Sequence, residues 1–547
     1  MLRTAARWLT CAVLVTAVLG AAPHGRASDT SYDESVRTTA ATARVESRPN
    51  VVVILLDDMR ADDLAFMPLS RRLLADEGAQ FVNSFSPYPL CCPARASLLT
   101  GVYTHNHRVF DVGPPYGFSS FDDRSTFATW LEDAGYDTTL IGKYLNGYGP
   151  TPVRGSTTGS SFSYVPPGWT TWRASIDGGM PADDPEAGGT YRYFDTTLSE
   201  NGSGFTNYRG SYQTTVYGTL SEEVIRRNAA AGRPFVLYAS YTAPHHGGPV
   251  EPDDPQTVVN GAGQRTNFAT PARPARIRGK FDSRITASPG ASWNDPDFTD
   301  KPSHLRSRPP LSQEELLASR AVARQRAESL FLVDKQVKRT VDVLRETGTL
   351  RNTLVVLTSD NGYFLGEQRI RQGKTFPHEP ALRVPLLMRG PGIPAGVRRT
   401  DPFTSIDLAP TIADLAGVTP SSPVDGVSML GVARYGDRGW TRAVLTETGP
   451  LFGVVRETGE SGRPREPGEP ADLRYAIGIR TQRWLYVDYA TGEEELYNLV
   501  RDPQQYRNVV AAARHADTVE LLRRELQRMR ACDGLQCRMP MAAALQR

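Results

Sequence analysis

Lysine is scarce in this chain of 547 residues, because only six of its 62 basic residues are lysine and arginine supplies the rest. Cysteine is also rare, with five residues, and no long hydrophobic run follows residue 22. The net charge of +2 is too small to indicate a nucleic-acid partner or an acidic membrane surface. The lack of a later apolar run predicts no stable membrane span in the mature chain. A hydrophobic content of 39% is typical of a globular protein with a sizeable core.

The N-terminus has the layout of a secretory signal peptide. Two arginines precede an apolar run over residues 8–22, and small residues follow as far as Ala27. The run is short for a membrane-spanning helix, so we expect a signal peptide at 1–27 and a secreted, extracellular protein. A retained membrane anchor is the alternative. Residues 28–48, rich in Ser, Thr and Ala, are predicted to form a linker.

Short apolar runs, each followed by polar residues, recur along the chain. Runs of this kind are typical of strands buried on both faces, as in parallel sheets covered by helices. Helical patterns lie between them at 63–77, 125–134 and 312–346. The sequence therefore predicts an α/β fold with a large, mostly parallel sheet flanked by helices. The predicted strands are 51–56, 138–141, 235–240 and 354–358.

The C-terminal part predicts a smaller α+β subdomain that contains an antiparallel sheet. Residues 475–479 and 484–489 alternate like a hairpin, and 516–529 form an amphipathic closing helix. Nearby, Cys532 and Cys537 are placed to form a disulfide, with two free thiols as the alternative. The predicted divisions are a large domain at 49–435, a C-terminal subdomain at 436–530 and a tail at 531–547.

Three stretches show no clear periodicity. Residues 150–210 are rich in Gly, Ser, Thr, Tyr and Trp, and residues 247–310 are rich in Pro, Arg and Asp. We expect them to form the walls of a substrate pocket, with surface insertions as an equal alternative. Residues 460–470 are predicted to be a loop rich in Gly, Pro and Glu.

Carboxylates follow two of the predicted strands directly. Asp57 and Asp58 come after the first strand, and Asp360 and Asn361 come after the fourth. In an open α/β sheet the carboxyl ends of the strands are where ligands gather. Three carboxylates and an amide oxygen form a hard, oxygen-only set suited to calcium or magnesium. Each pair taken alone is more often a solvated turn or a helix cap.

Cys91 begins a predicted short helix. Pro93 suits the first turn, where its missing N–H is not needed, and Gly101 is a plausible end. Cys91 would then lie at the positive end of the helix, which favours anionic ligands. The alternative is a buried cysteine beside a helix start. Its neighbour Cys92 is predicted to be a small buried apolar residue.

The stretch Cys91-Cys92-Pro93-Ala94-Arg95, continuing to Gly101, resembles the signature of the sulfatase family. In that family a formylglycine-generating enzyme converts the first cysteine to formylglycine (3-oxoalanine), an aldehyde whose hydrate attacks sulfate esters. The resemblance runs from residue 51 to about residue 508 and implies an alkaline-phosphatase-like fold. It makes Cys91 the modified catalytic residue and 49–435 the catalytic domain.

The resemblance also implies roles for the charged residues. The oxygen set formed by Asp57, Asp58, Asp360 and Asn361 becomes the site of a divalent cation, usually calcium, to which the modified Cys91 adds an oxygen. Arg95 lies one helical turn after Cys91 and is implied to hold the formylglycine hydrate. Lys143 and Lys374 are implied to bind the substrate sulfate as compact point charges.

One histidine is implied to protonate the departing alcohol. His245 matches the family position and would also contact the substrate, with His246 as the competing choice. Leu145 departs from the family, because many sulfatases have a histidine there, and Asn146 is expected to take part of that role in substrate binding. Three more histidines are candidates for the pocket lining, although a structural role is the stronger expectation: His105, His107 and His378.

The substrate class also follows from the resemblance. The segments 90–93 and 142–146 are most similar to the N-acetylglucosamine-6-sulfatase branch. The implied reaction is hydrolysis of a sulfate ester on a sulfated carbohydrate, such as 6-sulfated N-acetylglucosamine, or on an aryl sulfate, with release of inorganic sulfate. The alternatives are a phosphonate or phosphate ester hydrolase of the same superfamily and a non-catalytic sugar-binding homologue.

Overall fold

A ten-stranded mixed sheet runs through the centre of the protein. The computed structural model describes residues 48–294, 297–449 and 474–546. The predicted signal peptide, nearly all of the linker and the loop at 460–470 lie outside the described residues. The strands are β1 (Asn50–Leu56), β2 (Ala79–Phe81), β3 (Ser84–Phe85), β4 (Asp137–Lys143), β5 (Thr171–Ser175), β6 (Thr197–Ser199), β7 (Phe205–Asn207), β8 (Phe235–Ser240), β9 (Val258–Val259), β10 (Arg265–Thr266), β11 (Thr353–Ser359), β12 (Leu386–Arg389), β13 (Val397–Arg399), β14 (Phe403–Thr404), β15 (Val444–Thr448), β16 (Ala476–Arg480), β17 (Trp484–Tyr489) and β18 (Glu494–Asn498).

The order of the large sheet is β13-β2-β12-β11-β1-β8-β4-β5-β6-β7. Its middle five strands, from β11 to β5, are all parallel, whereas β12, β6 and β7 pair antiparallel with their neighbours. Every residue of β1 is buried. Val51, Val53 and Leu55 pack in one hydrophobic cluster, and the alternate residues pack in another on the opposite face. Each such side chain contributes roughly 1.5–3 kcal/mol by leaving water, which explains the continuous apolar run.

Helices cover both faces of this sheet, as predicted. Helices Cys91–Thr100, Phe127–Asp133 and Leu408–Ala416 share the cluster of Val51, while Gln213–Ala231 and Gln313–Glu346 share the other. Ser312 and Glu315 form a capping box that starts the longest helix. The remaining α-helices are Pro68–Ser70, Thr104–His107, Ser303–Arg306, Glu379–Leu382, Leu430–Tyr435 and Ala516–Met529.

The prediction of one regular helix at 63–77 is wrong, because the segment is divided into shorter pieces. A 3-10 turn at Asp62–Phe66 ends at Met67, and a short α-helix and a π-turn follow. Met67 has φ −117° and ψ 64°, outside the helical region, because Pro68 disfavours a helical residue before it. The segment therefore bends where a regular helix was expected.

The C-terminal region contains the predicted antiparallel sheet, in the order β15-β16-β17-β18. Helix Ala516–Met529 packs on it through Val519, Leu522 and Leu526. The Cys532–Cys537 disulfide is present, as predicted, and both half-cystines are buried in the same hydrophobic cluster. The carbonyl of Cys532 accepts a hydrogen bond from Asn106 Nδ2 at 3.0 Å. The fold class is confirmed, and the domain boundaries stay predictions.

The stretch at 150–210 contains three strands that the sequence did not predict. Strands β5, β6 and β7 extend the large sheet beyond β4. They have only three to five residues each, too few for alternation to stand out from the surrounding Gly and Ser. Among the described residues, no helix is both long enough and apolar enough to cross a bilayer.

Candidate active site

The carboxyl ends of the parallel strands β1, β4, β8 and β11 lie side by side at one edge of the sheet. This arrangement brings together the polar residues at those ends. In the sheet register, Leu56 lies opposite Ser359, and Ser240 lies opposite both Leu55 and Gly142. The residues that come next along each strand therefore meet at one edge of the sheet. These are Asp57, Asp58, Lys143, Asp360 and Asn361.

Three carboxylates form the floor of the site. Asp57, Asp58 and Asp360 are completely buried, and one oxygen of each lies within 4.8 Å of the others. Burial and the neighbouring Asp57 raise the pKa of Asp360 to about 6. Asn361 donates from Nδ2 to Asp58 Oδ1 at 2.6 Å.

This oxygen set fits a divalent cation. Asp58 Oδ2 and Asn361 Oδ1 are buried and have no hydrogen-bond partner. An unpaired buried carboxylate oxygen is costly, and a hard cation is the partner that removes the cost. The set contains oxygen donors only, which favours calcium or magnesium over zinc.

Cys91 is the first residue of its helix and lies next to these carboxylates. Leu90 is extended and Gly101 ends the helix at φ 76°, as the sequence predicted. The Cys91 Sγ atom is 3.2 Å from Asp57 Oδ1 and 2.7 Å from Lys374 Nζ. Burial and the charge of Asp57 raise the pKa of the Cys91 thiol well above its usual value. The encoded side chain is thus a protonated thiol held among charged groups.

Three cations balance the three carboxylates. Lys143 Nζ lies 2.6 Å from Asp57 Oδ2, and Arg95 Nε lies 2.7 Å from Asp360 Oδ2. Lys374 forms the third ion pair, with Asp58. Burial alone would raise the pKa of Asp57, but Lys143 and other nearby cations outweigh it and leave this pKa well below its usual value. All of these carboxylates and cations are 2% exposed or less, so their charges act in a region of low dielectric.

Arg95 also fixes the surrounding backbone. Its Nη1 atom donates to the carbonyl oxygens of Lys143 and Tyr144 and to Ser240 Oγ at 2.8 Å. The guanidinium therefore ties the ends of β4 and β8 to the helix that carries Cys91. A second arginine, Arg326 on the longest helix, donates to the carbonyl oxygen of Asp58. It comes 268 residues later in the chain, and no local pattern marks it.

His245 enters the site from the segment after β8. Its Nε2 atom lies 3.7 Å from Asp58 Oδ2, while Nδ1 donates to the carbonyl oxygen of His246 at 2.8 Å. Burial, followed by the charge of His246, lowers the pKa of His245 well below its usual value. The ring of His246 stacks on that of His245, with centroids 4.1 Å apart. His245 is therefore the histidine whose Nε2 atom faces the carboxylates.

Tyr191 is a contact of the site that the sequence did not single out. Its ring centroid lies 4.7 Å from that of His245 and 5.2 Å from Lys143 Nζ. Its hydroxyl accepts a hydrogen bond from Asn146 Nδ2 at 2.8 Å and also bonds Asp177. The only signal was its position in 150–210, the stretch predicted to form pocket walls.

Leu145 is buried in the hydrophobic core, so this position offers the site no polar group. Asn146 donates to Tyr191, and its side-chain oxygen Oδ1 is buried without a hydrogen-bond partner. The other three candidate histidines make structural contacts, as predicted: His105 pairs with Glu447 at 3.0 Å, His107 hydrogen-bonds Ser97 at 2.9 Å and His378 pairs with Glu495 at 3.0 Å.

The large, mostly parallel sheet with its small C-terminal antiparallel sheet is an alkaline-phosphatase-like fold. A solved structure described as being in complex with its substrate D-glucosamine-2-N,6-O-disulfate has 22% identity and a TM-score of 0.62, covering 90% of this chain and 98% of that one. A phosphonate monoester hydrolase of Agrobacterium radiobacter has 23% identity and a TM-score of 0.61, covering 89% and 96%. At these identities the similarity establishes the fold alone.

Sequence comparison identifies the family. Residues 49–418 match the Sulfatase family. An extracellular sulfatase SULF-1 homolog of Drosophila melanogaster is 33% identical over 76% of this chain, which spans only 34% of that relative's length. The N-acetylglucosamine-6-sulfatase of Homo sapiens is 29% identical over 90% of this chain and 86% of its own. The chain belongs to the sulfatase family.

Proposed function

We propose that this protein hydrolyses sulfate esters of carbohydrates, using a formylglycine formed from Cys91. The observation that carries the proposal is the position of Cys91 Sγ, 3.2 Å from Asp57 and 2.7 Å from Lys374 at the positive end of a buried helix. A side-chain oxygen at this position would have both a cation site and two ammonium groups beside it. Membership of the sulfatase family supports the same reaction.

A divalent cation, calcium with magnesium as the alternative, would be held by Asp57, Asp58, Asp360 and Asn361, together with the modified residue 91. It would supply positive charge that polarises the sulfate group. The two buried oxygens without partners, on Asp58 and Asn361, support this assignment.

Residues of the chain itself would carry out the other steps of the reaction. The formylglycine hydrate supplies one hydroxyl that attacks sulfur and a second whose deprotonation expels inorganic sulfate and restores the aldehyde. Lys143 and Lys374 bind the sulfate oxygens and stabilise the charge that grows on them. Arg95 holds the hydrate and keeps Asp360 ionised.

His245 would protonate the departing alcohol from Nε2, the atom that faces the site. Burial and the charge of His246 lower the pKa of this ring. The negative charge of a bound sulfate ester would act in the opposite direction and favour the protonated ring.

A 6-sulfated N-acetylglucosamine or a related sulfated sugar is the proposed substrate, with aryl sulfates as simpler substrates. The similarity to N-acetylglucosamine-6-sulfatases over 90% of this chain supports it. We also propose that the chain is secreted after removal of residues 1–27, that it meets a formylglycine-generating enzyme during maturation, and that residue 91 lies in a catalytic domain at 49–435. The extracellular naming of a relative supports secretion.

Two measurements test the proposal. Mass spectrometry of the peptide containing Cys91, from protein made in a host with the converting enzyme, is expected to show a mass lower than encoded. Steady-state rates on the sulfate and phosphate esters of one alcohol are expected to favour the sulfate, and Cys91→Ala should abolish that activity. Cys92→Ala, at the adjacent buried cysteine, is the matched control and should retain it.

Each alternative has its own result in these assays. A preference for phosphate or phosphonate esters would identify the hydrolase class of the structural neighbour from Agrobacterium radiobacter. A fully unmodified thiol with no hydrolysis of either ester would indicate a sugar-binding protein.

A further inference from the structure

A pocket in the C-terminal region carries positive charge that the proposed reaction does not use. It has a volume of about 320 Å³ and lies between the end of β18 and the start of helix Ala516–Met529. We call it the arginine pocket and define it by Arg501, Arg507 and Arg514 together with Asn498, Asp502, Tyr506 and His515. A volume of this size is at the lower end of the range for small-ligand sites.

The three arginines have no carboxylate partner. Arg501, Arg507 and Arg514 are exposed, and within the described ranges none of them lies within ion-pair distance of an acidic side chain. Other exposed arginines of this chain do form such pairs, for example Arg124 with Asp122. Charges gathered in one pocket without partners repel each other, and a bound anion relieves that repulsion.

The one acidic residue in the pocket is already engaged. Asp502 Oδ1 accepts the backbone N–H of Tyr506 at 2.9 Å, and Oδ2 accepts that of Arg507 at 2.9 Å. These bonds hold the loop so that Arg501 and Arg507 line the same cavity. Asp297 lies near Arg507, but its carboxylate hydrogen-bonds Thr299. The net charge of the pocket is therefore positive.

An aromatic wall completes the pocket. The Tyr506 ring packs against Trp293 with centroids 4.4 Å apart and planes inclined at 37°, and its hydroxyl donates to Ser292 Oγ at 2.7 Å. The ring is thus fixed in place. The His515 ring contacts Trp484 with centroids 5.1 Å apart, and the guanidinium of the exposed Arg483 lies 6.0 Å from the same Trp484 ring.

This combination fits a sulfated sugar better than a simple anion. Planar guanidinium groups bind two oxygens of a sulfate at once, and a fixed aromatic ring packs against the apolar face of a sugar ring. Asn498 adds a neutral side chain that can donate to and accept from hydroxyl groups.

The pocket is also connected to the segment that carries Lys374. Its loop continues to Gln505, whose side-chain oxygen accepts the backbone N–H of Glu379 at 3.1 Å, five residues after Lys374. The carbonyl oxygen of Gln505 accepts from Gln368 Nε2 at 3.3 Å. A polysaccharide bound in the pocket would therefore contact a loop that packs against the segment carrying Lys374.

We propose that the arginine pocket is a second binding site for a sulfated polysaccharide chain, separate from the site at Cys91. This inference deepens the proposed function, because it names a polymeric sulfated substrate. It predicts that long sulfated chains bind more tightly than single sulfated sugars, since two sites on one protein engage one chain.

The test measures binding of a size-defined heparin hexasaccharide by isothermal titration calorimetry at 50 mM salt. All proteins carry Cys91→Ala, so the probe is not consumed and the result does not depend on hydrolysis. The triple variant Arg501→Gln/Arg507→Gln/Arg514→Gln is expected to bind about tenfold more weakly, since three charge-assisted contacts are lost. Asn498→Asp, which adds one negative charge and removes no arginine, is expected to weaken binding in the same direction.

The matched control replaces three exposed arginines that also have no carboxylate partner: Arg233, Arg265 and Arg276, each changed to Gln. It has the same net charge as the triple variant and is expected to bind like the parent. Unchanged binding in the triple variant, or an equal loss in the control, would overturn the proposal. Equally tight binding of a single-stranded DNA 12-mer, lost in the same triple variant, would also overturn it in favour of a general polyanion surface.

The same substitutions separate this inference from the proposed function. With Cys91 intact, the triple variant is expected to retain the parent kcat/KM on 4-nitrophenyl sulfate, since the pocket does not touch the reacting atoms. Absence of that hydrolysis in the parent would contradict the proposed function and leave the binding result as it stands.

Discussion

Lys374 Nζ lies 2.7 Å from Cys91 Sγ and forms an ion pair with Asp58 at the same time. One ammonium group thus contacts both the residue proposed to be modified and a proposed metal ligand. This position is set by a loop between β11 and β12, and Lys374 is only 2% exposed.

We predict that Lys374→Met lowers kcat on 4-nitrophenyl sulfate by about 10²–10³-fold, because a charge that stabilises the transition state is lost. Lys374→Arg keeps the charge and should retain more activity than Lys374→Met. Stopped assays at saturating substrate measure both. Equal rates for Lys374→Met and the wild type would contradict the proposed role.

Tyr191 is predicted to position His245 and Lys143 through its ring. Tyr191→Leu removes the ring and should lower kcat about fivefold, in line with the loss of one cation–π contact of about 1 kcal/mol. Tyr191→Phe keeps the ring and loses the hydrogen bonds of the hydroxyl with Asn146 and Asp177, so its kcat should stay closer to the wild-type value. A pH–rate profile of the two variants checks the role, because a change in the environment of His245 moves the profile while a general loss of stability does not.

Metal binding is predicted to depend on Asp58. Calcium added to chelator-treated protein should raise the midpoint of thermal unfolding, with about 2.7 kcal/mol of added stability at a hundred times the dissociation constant. Asp58→Asn should lose this response without distorting the backbone, because Asp58 has φ 69° and asparagine tolerates the left-handed region. Asp517→Asn, at an exposed carboxylate, is the control and should respond like the wild type.

Gly142 is predicted to be essential for placing Lys143. It has φ 97°, and a Cβ atom there would lie 2.1 Å from the carbonyl oxygen of Ser240. Gly142→Ala should therefore destabilise the protein by more than about 3 kcal/mol, because the two strands must move apart. Gly135→Ala also has a positive φ but meets no atom within 4 Å, so it should cost only about 1 kcal/mol. Urea unfolding gives the free energy of unfolding of both variants. The loss in Gly135→Ala measures the backbone strain alone, and the additional loss in Gly142→Ala measures the steric clash.

The buried pair of Glu447 with His105 predicts a pH dependence of stability. Burial opposes ionisation, but His105 and Arg474 outweigh it and lower the pKa of Glu447 from 4.5 to about 2. A lowered pKa means that the stabilisation is present above pH 4.5 and is lost as the pH falls towards 2. About 3 kcal/mol should disappear across this window, at 1.36 kcal/mol for each unit of pKa shift.

Glu447→Gln should flatten this part of the curve of unfolding free energy against pH, whereas Glu520→Gln, at an exposed carboxylate, should leave it unchanged. Parallel curves for Glu447→Gln and the wild type between pH 5 and pH 2 would contradict the assignment.

The sequence predicted the parts of this site that local patterns encode. Asp57 and Asp360 follow buried strands, and the parallel register alone brings such residues to one edge. Tyr191 and Arg326 were not predicted, because each reaches the site through tertiary packing that leaves no periodic signal in its own segment. The bend at Met67 was missed for a different reason: the apolar spacing of 63–77 is helical, and the local effect of Pro68 outweighs it.

The near-complete burial of Cys91, with 1% of its surface exposed, limits when the proposed conversion to formylglycine could take place. A converting enzyme needs to reach the thiol, and in the folded protein the thiol is enclosed by Lys374 and three carboxylates. The proposed conversion would therefore act on the unfolded chain, before β11 and the Lys374 loop join the sheet. A variant that folds faster around residue 91 would then contain a smaller fraction of converted protein, even with an unchanged final structure.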